Sequence, residues 1–172
     1  MCQMLFLILL QNLSNFHIEI REKNIMKTYS FAKLSVRGFP TILELKHPYI
    51  YGDVQVIINV SGHDYPEDIL SVIKCKNIHC YHFPLEEEVP DMGLKNILAA
   101  VDVLMKADAA GEKVVLHCSF GNNRSRTVAE AFHFKKMGFH FEDEYKGYPN
   151  HLAYNCGKGH LPPLPEIEAL LK

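Results

Sequence analysis

The stretch that decides the fold runs from residue 113 to residue 125 and reads KVVLHCSFGNNRS. Residues 113–117 form a β-branched and apolar run, which predicts a strand that is buried on both faces. After the loop 118–123, a helical pattern begins at Arg124 and stops before Gly138, and glycine favours the end of a helix. The sequence therefore predicts a buried strand, a short loop and a helix in direct succession.

Further strands and helices alternate along the chain. Strands are predicted at residues 55–60 and 78–83, and helices at residues 66–74, at residues 91–111 and from Glu166 onward. This alternation predicts an α/β fold in which helices flank a mainly parallel central sheet. Because ligands bind at the carboxyl ends of such strands, we expect the chemistry in the loop after residue 117.

The composition is typical of an ordinary folded domain whose cysteines are reduced. The 172 residues are 48% hydrophobic and 22% charged, with a net charge of −2, which suits one compact domain. No Lys/Arg-rich run appears, so we expect neither a nucleic acid nor a membrane as a partner. Five scattered cysteines favour free thiols, and hence a cytoplasmic location, over a disulfide framework.

The first 25 residues differ from the rest. The apolar run at residues 5–10 is far shorter than a membrane span, and it lacks the basic leading segment of a secretory signal. Met26 opens a stretch that reads like an ordinary protein start. We therefore expect residues 1–25 to be an N-terminal extension and residues 26–172 to form a single domain.

The loop after residue 117 is predicted to form an anion-binding site that contains a nucleophile. Cys118 ends the strand, Gly121 is free to adopt positive φ, and Arg124 begins the helix. Backbone N–H groups that curl inward at a helix N-terminus bind anions, and a guanidinium holds two phosphate oxygens at once. In such surroundings a thiol is expected to ionise with a pKa of roughly 3.5–7.5, so that a thiolate exists at neutral pH.

These residues resemble the signature of the cysteine-dependent protein tyrosine phosphatase superfamily, written H-C-x5-R-[S/T], and most of all its dual-specificity branch. The resemblance spans about residues 50–140 and implies a cysteinyl-phosphate intermediate without a metal or other cofactor. It implies that Cys118 is the nucleophile, that Arg124 clamps the phosphate, and that Ser125 donates to the thiolate while the intermediate breaks down. It also implies that His117 holds the cysteine in place. The substrate phosphate would lie against Ser119, Phe120, Gly121, Asn122, Asn123 and Arg124.

A phosphate ester also needs an acid that protonates the leaving oxygen. In the superfamily this acid is usually an Asp in a P-x-x-D loop about thirty residues before the cysteine, and the matching residue here is Glu87. Glu86 is a second candidate. Asp91 is a third, although its position before a helical pattern favours an N-cap. The longer glutamate in place of aspartate is a departure from the family pattern.

The resulting hypothesis is a phosphatase that acts on phosphotyrosine, and also on phosphoserine and phosphothreonine, in a phosphorylated protein or peptide. One alternative is a weakly active module that binds phosphorylated partners, and another is a phosphatase for RNA 5′ ends or small phosphates. A metal site built from Cys75, Cys80 and nearby histidines is not favoured, because the ligand spacing is wrong and strand neighbours point to opposite faces. We expect these two cysteines to pack in the core.

Overall fold

The structure, a computed structural model, describes residues 27–29, 33–85, 92–140, 150–158 and 161–172. Within these ranges five strands form one sheet in the order β1-β2-β5-β3-β4. The strands are β1 (Lys27–Tyr29), β2 (Leu34–Arg37), β3 (Val56–Asn59), β4 (His79–His82) and β5 (Val114–His117). All neighbouring pairs are parallel except β1 and β2. The predicted α/β fold with a mainly parallel sheet is confirmed.

The central strand is β5, and all four of its residues are buried. It pairs with β2 on one side and with β3 on the other, so that His117 lies opposite both Arg37 and Asn59. Three carboxyl ends of parallel strands therefore meet at the residue before Cys118. This edge of the sheet is where the sequence predicted the chemistry.

Helices cover both faces of the sheet. In chain order they are α1 (Ile42–Lys46), α2 (Pro48–Tyr51), α3 (Glu67–Cys75), α4 (Met92–Ala109), α5 (Arg124–Met137), α6 (His151–Asn155) and α7 (Leu164–Leu171). Side chains of β5 alternate between two hydrophobic cores, as the period of a strand requires. Val114 and Leu116 pack in the core that contains residues of α4, α5 and α7, whereas Val115 packs with residues of α1 to α3.

The predicted elements within the described ranges are confirmed with small shifts at their ends. The last helix begins at Leu164 rather than at Glu166, because proline is tolerated in the first turn and Pro165 fits there. Helix α5, which begins at Arg124, ends where Gly138 adopts a left-handed φ of 80°. The proposed extension, residues 1–25, lies outside the described residues.

One prediction about the core is wrong. Cys75 and Cys80 are both exposed and do not pack inside the domain. Cys80 lies on β4, the edge strand, and the exposed residues at positions 79–81 leave this strand largely uncovered. Cys75 ends α3 on its outer side. Across the ranges that the structure describes, no helix is both long enough and apolar enough to cross a membrane.

Candidate active site

The loop 118–123 connects the end of β5 to the first residue of α5. Cys118 opens this loop and is 2% exposed, so its side chain lies at the floor of the site rather than at its rim. Asn122 and Asn123 are exposed at the far end of the loop. The sulfur is therefore enclosed by the loop that follows it, which is the arrangement that the sequence predicted.

The sulfur of Cys118 accepts hydrogen bonds from the loop and from the helix that follows it. The hydroxyl oxygen of Ser125 lies 3.3 Å away, and the backbone N–H of Gly121 donates to the sulfur across 3.2 Å. Burial acts to raise the pKa of the Cys118 thiol. Hydrogen bonds from the Ser125 side chain and from the backbone N–H groups of Ser125, Phe120 and Gly121 outweigh it, so that the pKa lies below the ordinary value.

Gly121 is required by space as well as by conformation. Its φ is +71°, a left-handed conformation that favours glycine. A Cβ at this position would lie 2.5 Å from the carbonyl carbon of Arg37 and 2.7 Å from the backbone nitrogen of Gly38. The loop is also tied to the segment after β2, because the Phe39 N–H donates to the Ser119 carbonyl across 3.2 Å. The end of β2 thus holds the loop in its curled shape.

Arg124 lies at the other end of the loop and is partly exposed. Its Nη2 donates to the Ser119 hydroxyl oxygen across 3.0 Å, so the guanidinium is folded back over the loop toward the residue that follows Cys118. This contact fixes the planar fork before any phosphate arrives. A guanidinium held in this way can bind two oxygens of a tetrahedral anion.

His117 is completely buried beneath the loop. Its Nδ1 lies 3.4 Å from the Cys118 carbonyl oxygen, and its Nε2 contacts the Tyr65 hydroxyl. Burial lowers the pKa of His117 to about 4, so the ring is neutral at pH 7. Because a carbonyl only accepts, Nδ1 carries the proton, and Tyr65 donates to Nε2. The hydrogen bond of His117 therefore holds the backbone of Cys118.

The same arrangement corresponds to a known domain. Residues 45–148, more than half of the chain, match the family model described as the dual specificity phosphatase catalytic domain. The chain belongs to this family. The match contains the whole loop from Cys118 to Arg124 together with the helix that follows it. No curated protein sequence matches this dual specificity phosphatase domain significantly.

Solved structures share the fold of this dual specificity phosphatase domain. A putative phosphatase from Shewanella putrefaciens superimposes with a TM-score of 0.59 at 17% identity, covering 90% of this chain and 98% of that one. The catalytic core of the PP-IP phosphatase SIW14 from S. cerevisiae gives 0.60 at 14% identity, with 83% and 88% covered. PTPMT1 gives 0.55 at 18% identity, also with 83% and 88% covered.

The candidate acids of the phosphatase domain, Glu86, Glu87 and Asp91, lie outside the described residues. The structure fixes both flanks of this loop. On one side, the Leu85 N–H donates to the Val60 carbonyl across 3.4 Å, which holds the chain beside the carboxyl end of β3. On the other side, α4 begins at Met92.

Two residues near the loop were missed by sequence reasoning. Tyr65 contacts His117, and Asn155 donates to the Asn123 side-chain oxygen across 3.1 Å and to the Thr127 hydroxyl across 2.6 Å. Both are far from the loop in sequence and belong to no recognisable motif. Their only local signals are a proline after Tyr65 and a short polar segment around Asn155.

Metal-ligating side chains do not gather in the part of the chain that the structure describes. Within those ranges, no three His, Cys, Asp or Glu side chains lie close enough together to hold a metal ion. His82, one of the histidines considered for such a site, instead pairs with the Asp64 carboxylate across 2.7 Å.

Proposed function

We propose that this phosphatase domain hydrolyses phosphotyrosine, and also phosphoserine and phosphothreonine, through a phosphoryl group carried on Cys118. The observation that carries the proposal is the Cys118 sulfur at the floor of the loop, where Ser125 and the Gly121 N–H both contact it. A sulfur that is ionised and faces a cradle of N–H donors can attack phosphorus without a separate base.

The first step transfers the phosphoryl group. A bond forms between the Cys118 sulfur and phosphorus while the bond from phosphorus to the ester oxygen breaks. Arg124 and the N–H groups of the loop hold the phosphoryl oxygens, and stabilise the charge that develops on them. Glu87 is our proposed acid, and its proton passes to the leaving oxygen.

The second step releases phosphate. Water attacks phosphorus, the sulfur–phosphorus bond breaks, and its electron pair returns to the Cys118 sulfur. The Ser125 hydroxyl, 3.3 Å from that sulfur, donates to the thiolate as it reforms, which makes the thiolate a better leaving group. The proton lost by water goes to the acid that gave up its own in the first step.

The exposed ring of Phe120 favours an aromatic phosphate ester as the substrate. Phe120 lies inside the loop, two residues after Cys118, and its side chain is 84% exposed. An apolar ring at this position has no partner from the core, and it can contact the ring of a phosphotyrosine by stacking or by an edge. Phosphoserine and phosphothreonine would use the phosphate cradle without this contact.

Small phosphate esters are the second candidate. One solved structure is described as a PP-IP phosphatase, and PTPMT1 has been solved in complex with PI(5)P. At 14% identity in both cases, these neighbours bear on the fold alone. Their described substrate and ligand nevertheless make inositol phosphates and phosphoinositides a sensible part of a substrate panel, together with RNA 5′ ends.

Hydrolysis of p-nitrophenyl phosphate and of a phosphotyrosine peptide tests the proposal. We expect turnover of both by the wild type and none by Cys118→Ser. Cys75→Ser serves as the matched control, because Cys75 is an exposed thiol at the end of α3. Acid quenching during turnover should trap one phosphoryl group on the peptide that contains Cys118, detected by mass spectrometry.

The same experiment separates the alternatives. Peptide binding without turnover would contradict the enzymatic proposal and support a phosphate-binding module. The reason for considering such a module is the glutamate that replaces the usual aspartate in the acid loop. Turnover that survives Cys118→Ser would contradict the proposed nucleophile. Turnover of small phosphates or RNA 5′ ends without turnover of the peptide would contradict the protein substrate alone.

A further inference from the structure

The acid loop, residues 86–91, carries candidate acids and follows a short stem, residues 83–85. This stem leaves the edge strand β4 and runs beside the segment that follows β3. Phe83 opens the stem, and its N–H donates to the Asn59 carbonyl, at the end of β3, across 2.9 Å. The acid loop is therefore reached from a stem whose position β3 fixes.

Val60 connects the stem to the catalytic loop. Its N–H donates to the His117 carbonyl across 2.8 Å, and its own carbonyl accepts from the Leu85 N–H across 3.4 Å. His117 precedes Cys118, and Leu85 precedes the first residue of the acid loop. The distance between the candidate acids and the sulfur thus depends on the segment that begins at Val60.

His82, the last residue of β4, binds this segment with its side chain. Its Nε2 lies 2.9 Å from the Ser61 carbonyl oxygen, and its Nδ1 lies 2.7 Å from the Asp64 carboxylate. Both partners accept, so only the doubly protonated ring donates to both. Ser61 is fully buried, whereas 90% of the Asp64 side chain is exposed. Because an exposed ion pair contributes little by itself, the contact with Ser61 is the stronger tie.

The partner of His82 is itself held in place. The Asn59 side-chain oxygen accepts from the Ser61 N–H across 2.8 Å and from the Ser61 hydroxyl across 2.7 Å. The Asn59 side-chain nitrogen donates to the His63 carbonyl across 2.8 Å. Asn59 is fully buried and lies opposite His117 in the sheet. His82 therefore binds a segment whose conformation is set right beside the catalytic loop.

We infer that His82 is a positioning residue for the general acid, because its contacts with Ser61 and Asp64 hold the stem of the acid loop beside the Cys118 loop. The inference rests on the proposed function, since it takes Cys118 as the nucleophile and a residue of the acid loop as the acid. The role requires no contact between His82 and the substrate. Loss of the side chain should weaken protonation of the leaving oxygen and leave the phosphate cradle intact.

Two esters that differ in their need for an acid test this role. Phenyl phosphate releases a basic phenolate, which leaves readily only when it is protonated, whereas 2,4-dinitrophenolate leaves as a stable anion. We expect His82→Ala to lower kcat/KM for phenyl phosphate about tenfold, on the scale of one hydrogen bond from a charged group. With 2,4-dinitrophenyl phosphate, kcat/KM should stay within about twofold of the wild type.

Conservative variants of the same contacts should give graded effects. Glutamine keeps a side-chain N–H donor, so His82→Gln should recover part of the activity toward phenyl phosphate by donating to the Ser61 carbonyl. Asp64→Asn removes only the ion pair and should have a smaller effect than His82→Ala. His79→Ala is the matched control, because it removes an exposed histidine from the opposite end of β4. It should hydrolyse both esters as the wild type does.

Failure of the positioning role and failure of the proposed function give different results. Equal falls in kcat/KM for the two esters in His82→Ala, or a selective fall in His79→Ala, would overturn the positioning role and leave the phosphatase proposal intact. If the wild type hydrolyses neither ester, the proposed function fails, and amide hydrogen exchange tests the tie by itself. The Leu85 N–H should then exchange faster in His82→Ala than in the wild type, and unchanged exchange would contradict the tie.

Discussion

The hydroxyl of Ser125 lies 3.3 Å from the sulfur of Cys118, although the two residues are seven positions apart in the chain. The loop between them closes on itself, so that the first residue of the loop contacts the first turn of the helix that follows. Ser125 is fully buried, and its hydroxyl has little competition from water. This one contact therefore has a large share in setting how readily the sulfur ionises.

Ser125→Ala should raise the pKa of the Cys118 thiol, because the variant loses a hydrogen bond to the charged sulfur, and such bonds contribute about 1.5–3 kcal/mol in favour of the ionised form. The thiolate exists above the pKa, so the variant should react with iodoacetamide only at higher pH. The rate of alkylation as a function of pH measures this shift. Ser71→Ala, an exposed position on α3, should leave the midpoint where it is, and an unshifted midpoint in Ser125→Ala would contradict the assignment.

Gly121→Ala should disrupt the loop itself. The new Cβ would lie 2.5 Å from the carbonyl carbon of Arg37, and backbone atoms cannot give way as a flexible side chain can. A displacement of about 1 Å in a catalytic loop can lower kcat/KM by about a hundredfold, and we expect at least this loss with p-nitrophenyl phosphate.

The control for this variant is Gly138→Ala, which has a positive φ of +80° but no atom within 4 Å of the added Cβ. It should cost about 1–2 kcal/mol in the free energy of unfolding, from left-handed backbone strain alone, and leave kcat/KM close to that of the wild type. Equal losses of activity in the two variants would mean that strain, rather than contact with β2, matters at position 121.

The part of the site that the sequence predicted is the part that is local in the chain. The apolar run of β5, the loop with Gly121 and the helix that stops at Gly138 each carry their signal within a few residues. The signature also named the residues that the structure brings around the sulfur. From the sequence, we expect the helix N-terminus and Arg124 to lower the pKa of the thiol; the Ser125 N–H in the first turn of the helix does contribute, together with the Ser125 hydroxyl and the N–H groups of the loop, whereas Arg124 is not among the causes.

The rest of the site depends on contacts between distant segments, and these have no local signal. The strand β2 (Leu34–Arg37) is too short to show a period, yet it holds Gly121 in place. Tyr65 follows a turn after β3, and nothing in the sequence indicates that it contacts His117, 52 positions away. The same is true of Asn155, whose partners lie 32 and 28 positions earlier.

The neutral state of His117 should make the fold sensitive to mild acid. Burial lowers the pKa of this residue from 6.5 to about 4, so between these values the unfolded chain binds a proton that the folded chain does not. The free energy of unfolding therefore falls as the pH falls through this window, by about 3 kcal/mol in total at about 1.4 kcal/mol per unit. Urea unfolding at a series of pH values measures the slope.

A comparison of variants isolates the contribution of His117 to this slope. His117→Gln removes the titrating group and should flatten the dependence between pH 6.5 and 4, whatever its effect on the stability at neutral pH. His79→Gln removes an exposed histidine from β4 and should keep the slope of the wild type. A slope that persists in His117→Gln would assign the acid sensitivity to other groups.

Asn155→Ala should loosen the loop from a distance. The variant loses the hydrogen bonds to Asn123 and Thr127, which lie on either side of Arg124. We expect a loss of about 1–2 kcal/mol in the free energy of unfolding and a several-fold fall in kcat/KM with p-nitrophenyl phosphate.

Asn150→Ala is the control for this variant. It removes an amide at the start of the same helix, α6, where Asn150 caps the first turn by accepting from the Ala153 N–H across 2.9 Å. This second variant should lose a similar amount of stability but keep more of the activity, since Asn155 contacts the end of the loop directly and the cap does not. Equal falls in kcat/KM would show that α6 acts on the loop only through its own stability.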